Sequence, residues 1–193
     1  MGIIEEVTKD ALVEEMLINS ANYNTARQYT VVFPFGTIGT RTQVLLGLKK
    51  RGMGVGLWNG FGGKIELGET FEEGAHRELK EECGLSARAM KHVGVLLMKR
   101  KDGSLMTIYV YTAHGVSGCI AESDEMEPKW FDVSELPYDG AYKEARLWWP
   151  AMLSGKAFVA RFVFSHPDNI RYSIEWTDDA AIYGHTAQMG AID

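Results

Sequence analysis

Three glutamates, Glu78, Glu81 and Glu82, stand three and four residues apart beside Arg77 in the stretch HRELKEECGL. On a helix that spacing puts the carboxylates side by side on one face. Like charges so close repel one another, so the cluster asks for a cation; a solvated acidic face is the plainer alternative. A few carboxylate oxygens completed by water and substrate phosphates suit magnesium, with manganese as a substitute. Calcium needs more oxygens, and zinc prefers His or Cys at ligand spacing, where His76 stands alone. A cation held in this way shields phosphate charge, orients a pyrophosphate and lowers the pKa of a bound water. Hydrolysis of a diphosphate linkage follows. A carboxylate not saturated by metal could serve as general base, and the spacing does not choose among the three. Arg77 stays charged, so its expected job is to fork onto a carboxylate such as Glu69 and orient the cluster.

Other elements must hold this face in place. Thr70 followed by Glu73 forms a capping box, so a helix is expected from Thr70 to Cys83, with Gly84 as its stop. Gly74 within it costs about 1 kcal/mol relative to alanine, which suggests that another backbone packs against it. Just upstream, Gly52 to Gly63 is dense in glycine, as tight turns and close backbone approach require. Gln28–Pro34 and Gln43–Leu48 are rich in β-formers and read as a hairpin. Val93–Met98 and Met106–Ala113 read as strands joined by a turn at Lys101–Ser104. The acidic loop Glu122–Met126 precedes a strand at Lys129–Val133, and Ala141–Leu153 is helical in character, with Pro150 marking a kink or an end. Phe158–Phe164 and Ile170–Trp176 form a closing strand pair around His166–Asn169.

At the N-terminus, Ile3, Ile4, Val7, Ala11, Leu12, Met16 and Leu17 recur at near-helical spacing, which predicts an amphipathic helix over residues 3–18, followed by a polar linker over 19–24. The expected organisation is a helical extension over 1–27, a single domain over 28–177 and a tail over 178–193. Strands and helices in this order point to mixed α/β layers, not to a doubly wound parallel sheet. Neither a dinucleotide fingerprint nor a P-loop is present.

Composition narrows the partners. The chain has 193 residues, of which 46% are hydrophobic, and a net charge of -6. It can bury a real core, and its acidity argues against binding duplex nucleic acid. With no apolar run of about 20 residues, no membrane span is expected. Cys83 and Cys119 fit a reducing compartment, and cytoplasm with access to the nucleus is the expected location. A monomer is expected.

Taken as a glycine, five residues, a glutamate, seven residues and RELKEECGL, the stretch Gly63, Glu69, Arg77, Glu78, Leu79, Glu81, Glu82, Gly84 and Leu85 resembles the Nudix box at every defined position. The resemblance implies the Nudix-type α/β/α sandwich with a mixed sheet, a divalent cation, and hydrolysis of a nucleoside diphosphate linked to another group. LLGLKKRGMGVGLWNGFGGKIELGET and ESDEMEPKWF look like the branch of the family that converts oxidised purine nucleoside triphosphates to monophosphate and pyrophosphate, cleaning the nucleotide pool. By that resemblance the metal ligands are the Gly62 carbonyl, Glu78, Glu81, Glu82 and, from the second acidic loop, Glu125. Thr30, Lys49, Asn59 and the run Phe61, Gly62, Gly63 and Lys64 line the nucleotide site, with Asn59 reading the base. Where that branch carries a tryptophan and then two adjacent aspartates, this chain has Tyr142, Glu144 and Ala145; the first can stack and the second can hydrogen-bond, but alanine reads nothing. Met53 stands where an aromatic is expected. Nudix hydrolysis of a dinucleotide, a nucleotide sugar or capped RNA is the alternative, followed by a non-catalytic binding module.

Overall fold

The computed structural model describes residues 2–16, 26–166 and 169–177. The expected linker over 19–24, the turn at 167–168, His185 and the tail over 178–193 lie outside the described residues. The elements in chain order are β1 (Ile4–Glu6), α1 (Lys9–Met16), β2 (Arg27–Ile38), β3 (Arg41–Lys49), β4 (Trp58–Asn59), α2 (Phe71–Cys83), β5 (Ser86–Lys99), β6 (Leu105–Ser117), β7 (Met126–Asp132), α3 (Ala145–Leu153), β8 (Ala157–His166) and β9 (Asn169–Thr177).

The strands form one mixed sheet in the order β1-β9-β8-β5-β6-β2-β3-β4, with β7 also paired to β3. β2 is long enough to serve two neighbours: Arg27–Pro34 runs parallel to β6, and Phe35–Ile38 turns antiparallel onto β3. Side chains of alternating parity then feed two cores. Leu12 and Met16 of α1 pack with Ala75, Leu79 and Cys83 of α2 on one face, while Trp148, Trp149 and Met152 of α3 pack with Phe33, Phe158 and Phe162 on the other. This is an α/β/α arrangement, and both tryptophans are core.

Several elements depart from the sequence reading. The N-terminal segment does not start as a helix: Ile4–Glu6 pairs parallel with Ile170–Tyr172 at the sheet edge, and among the described residues helix begins at Lys9 and runs over Lys9–Met16. The apolar residues there are divided between a strand edge, where Ile3 and Ile4 stay exposed, and a helix face that buries Leu12 completely. The third helix starts at Ala145 because Ala141 is in an isolated bridge with Trp58 and a single 3-10 turn fills Tyr138–Gly140. Pro150 sits within this helix on its solvent side and does not end it. Met126 begins β7, earlier than expected, because β3 offers a partner as far as Lys49. Among the described residues, no helix is long and apolar enough to cross a membrane.

Candidate active site

The helix that carries the carboxylates is fixed at both ends. Thr70 and Glu73 form a reciprocal capping box, and Gly84 closes the helix in a left-handed conformation at φ 77°. What crowds Gly74 is not another backbone but the side chains of Glu69 and Ile65, which a Cβ there would meet at 2.5 and 2.9 Å.

Arg77 organises the outer part of the face. Its Nε and Nη2 donate to the two oxygens of Glu69 at 2.8 and 3.2 Å, Nη2 also reaches the Lys64 carbonyl at 3.1 Å, and Nη1 donates to Glu78 at 2.9 Å and to Glu81 at 3.2 Å. Hydrogen bonding to Glu69 leads the effects that raise the guanidinium pKa, so Arg77 is a permanent cation. Burial pushes the Glu78 carboxyl above its ordinary value, against the pull of Arg77 and with help from the charge of Glu81. Glu81 is the exposed member of the three, with 60% of its side chain in solvent.

The inner part belongs to Glu82 and Lys49. Glu82 is 4% exposed; Oε2 accepts the Gly62 N–H at 2.7 Å and Oε1 accepts from Lys49 Nζ at 3.2 Å. Burial pushes its carboxyl up to about 7, with Lys49 and the Gly62 amide opposing. The Lys49 ammonium also donates to Glu125 at 3.0 Å. Burial works against the charge on Lys49, but the two carboxylates outweigh it and hold its pKa above the usual lysine value. Glu125 is held low by hydrogen bonds from Lys49 and then Arg51. Lys50 completes the link, donating to Glu122 at 2.6 Å and to the Ser123 carbonyl at 2.7 Å. The three consecutive cations at the end of β3 therefore dock the acidic loop beside the helix.

The glycine-rich stretch lies along β2 because its backbone pairs with it: Val32 and Phe61 exchange hydrogen bonds at 2.6 and 2.9 Å, and the Thr30 amide donates to Gly63 at 2.9 Å. A Cβ on Gly62 would fall 2.1 Å from the Thr30 carbonyl oxygen, and one on Gly63 would fall 2.4 Å from Glu78 Oε1. Only glycine lets this backbone pass between a strand and a carboxylate.

A cleft of about 1490 Å³ opens over this arrangement. Thr30, Lys49, Asn59, Gly62, Gly63, Lys64, Arg77, Glu78, Glu81, Glu125, Tyr142 and Glu144 all line it, as does Ala145. The buried Thr30 hydroxyl has no hydrogen-bond partner among the described residues. Glu144 precedes α3, and burial pushes its carboxyl above the ordinary value. Two of the expected residues do not face the cleft. Phe61 is fully buried among Gly47, Met126 and the second core, so it positions the backbone and offers no ring. Glu82 lies behind Lys49. The sequence reading missed Arg51, whose guanidinium holds Glu125, and the apolar inner wall of Leu96, Met98, Met106 and Ile108. The KKR run was the available signal for the former; alternate residues of two neighbouring strands carry the latter.

Glu78, Glu81, Glu82 and Glu125 offer only oxygen, which suits a hard divalent cation. Among the described residues no three His, Cys, Asp or Glu side chains converge as they stand on one point. Lys49 and Arg77 neutralise the charges that such an ion would otherwise meet.

A model described as the NUDIX domain matches residues 29–151. The chain is 40% identical over 157 residues to the oxidized purine nucleoside triphosphate hydrolase of Mus musculus, covering 80% of this chain and 98% of that protein. It is 43% identical over 129 residues to the protein of the same name from Danio rerio, covering 66% and 83%. Among solved structures, the MutT protein of Bacillus halodurans superposes with a TM-score of 0.65 at 22% identity, covering 77% of this chain and 97% of that one, a likeness of fold.

Proposed function

The chain belongs to the Nudix family of hydrolases, and on that premise we propose that it hydrolyses oxidised purine nucleoside triphosphates to monophosphate and pyrophosphate, removing damaged nucleotides from the pool. Nudix hydrolases generally use a divalent metal, and Mg2+, with Mn2+ as a substitute, is the proposed ion here. The observation that carries the reading is the union of Glu78 and Glu81 with a cleft that runs on to Tyr142 and Glu144.

In this reading the Gly62 carbonyl, Glu78, Glu81, Glu82 and Glu125 would hold the metal, which would supply charge shielding for the phosphates and a lowered pKa for a bound water. Arg77 keeps Glu78 and Glu81 oriented through its fork to Glu69. Lys49 and Lys64 face the cleft and meet phosphate charge. A carboxylate freed of its partner takes the proton from water. At the other end Asn59 and Glu144 address the purine edge, Thr30 lines the same cleft, and the Tyr142 ring offers a stacking surface. Where the resembled branch of the family carries two adjacent aspartates, Glu144 and Ala145 leave one carboxyl here to read the base.

The test is pyrophosphate release from a panel of normal and oxidised purine nucleoside triphosphates with Mg2+, alongside mononucleotide release from dinucleotides, nucleotide sugars and capped RNA. Faster turnover of an oxidised purine than of its parent is expected. Equal rates on both would remove the sanitising role and leave the hydrolytic chemistry standing.

A further inference from the structure

The loop between β3 and β4 crosses the base end of the cleft with little of its own to hold it. Gly52, Gly54 and Gly56 all have positive φ, at 74°, 81° and 80°, so its backbone follows a path that other residues rarely take. Its root is a short set of backbone bonds: Gly56 N–H to the Lys49 carbonyl at 2.8 Å, Lys49 N–H to Leu57 at 3.0 Å and Leu57 N–H to Gly54 at 3.0 Å. The tip meets the segment before α3. There the Tyr142 hydroxyl donates to the Met53 carbonyl at 3.1 Å, and a Cβ on Gly54 would lie only 1.9 Å from that hydroxyl. The backbone bridge between Trp58 and Ala141 fixes the register that brings Tyr142 opposite the loop. Met53 and Tyr142 both line the cleft, and the Met53 side chain is otherwise held by a 3.4 Å contact from Arg100 to its sulfur.

The geometry points to Tyr142 as a specificity-determining residue: its hydroxyl ties the Gly52–Gly56 loop across the cleft, so that Gly52 and Met53 wall the slot a purine enters. This rests on the proposed nucleotide chemistry and adds to the stacking role of the ring, because the tie depends on the phenolic oxygen alone. Burial raises the Tyr142 pKa, with the charge of Glu144 adding to it, and so preserves the hydroxyl as a donor at neutral pH. Gly54 is the required counterpart, since any side chain there would push the loop away from the hydroxyl.

Tyr142→Phe removes the tie and keeps the ring. In the ligand-free full chain, amide exchange at Gly54, Gly56 and Leu57 is expected to speed up by about threefold to tenfold, the range one net hydrogen bond supports. With the nucleotide turned over fastest by the wild-type, KM should rise by a similar factor while kcat changes less than twofold, and the preference among purines should narrow. Gly54→Ala should raise KM in the same direction without altering Tyr142, and the double variant should exceed neither single change by much. Wild-type exchange and KM in Tyr142→Phe would overturn the proposal, and so would a loosened loop with unchanged KM and purine preference. If the wild-type hydrolyses no purine triphosphate, the proposed activity fails by itself. Equilibrium binding of purine nucleotides to wild-type and Tyr142→Phe then replaces KM, with weaker binding expected and equal binding fatal.

Discussion

Lys49 Nζ sits 3.2 Å from Glu82 Oε1 and shares its charge with Glu125 at 3.0 Å, so one ammonium joins the innermost carboxylate of the helix to the acidic loop. Glu82 is 5% exposed in its side chain and Lys49 is 17% exposed, which makes this a pair within the protein and not a surface contact. Removing only the charge of Glu82 tests the proposed site. Glu82→Gln retains a carbonyl for the Gly62 amide, so the loop should keep its place. Turnover with Mg2+ is expected to fall at least about 100-fold, with the thermal midpoint within a few degrees of wild-type. Retention of wild-type turnover would remove Glu82 from the metal site.

The raised pKa of Glu82 also carries a consequence for stability. Its folded-state value of about 7 lies above the ordinary 4.5, so between those values the folded protein holds a proton that the unfolded chain releases. That contribution is therefore fully present below about pH 4.5 and is lost as pH rises through about 7. Glu78 and Glu144 are shifted in the same direction by burial, while the lowered Glu125, Glu73, Asp102 and Asp132 exert their effect at the acid side of this window. In chelator, denaturant titrations should show unfolding free energy falling from pH 5 to pH 8 by an amount on the order of 3 kcal/mol, and a flatter profile for Glu82→Gln. A rise across that range in wild-type would contradict the assigned direction.

Arg77 separates orientation from charge. Lysine at this position keeps the cation but cannot make the planar fork to both oxygens of Glu69 while reaching Lys64 and Glu78. Arg77→Lys is expected to lose about 10-fold to 100-fold in kcat, comparable to Arg77→Ala, because misorientation of the carboxylates is the shared defect. Steady-state kinetics on both variants decide it, and near-complete rescue by lysine would mean that charge alone suffices.

How legible this was in the sequence depended on range. The capping box of Thr70 and Glu73, the stop at Gly84 and the shared face of Glu78, Glu81 and Glu82 are set within a few residues, so spacing alone reveals them. The fork from Arg77 to Glu69 was readable for the same reason. Phe61 was expected to line the site and instead enters the core, because the alternation imposed by pairing with Val32 turns its ring inward. The contact of Tyr142 with Met53 joins positions 89 residues apart, and no local pattern announces it. Likewise, nothing in the apolar spacing of residues 3–18 says that Ile4–Glu6 will find a strand edge, since that edge is created by β9 at the far end of the chain.

That N-terminal segment contributes to the core of the fold. Leu12 is completely buried and Met16 is 2% exposed, both in the core shared with α2, Val159 and Val163. Around them, Lys9 pairs with Glu175 at 3.4 Å and Lys99 donates to the Glu15 carbonyl at 2.7 Å, which seats α1 over β8 and β9. Leu12→Ala deletes packed methyl groups in that core, and it should lower the unfolding free energy by about 2–5 kcal/mol. Well below its melting temperature, the variant should keep kcat/KM within about twofold of wild-type, because Leu12 does not line the cleft. Urea unfolding followed by tryptophan fluorescence reads the first quantity directly. An appendage would behave otherwise: its loss of packing would leave the main transition at the wild-type midpoint.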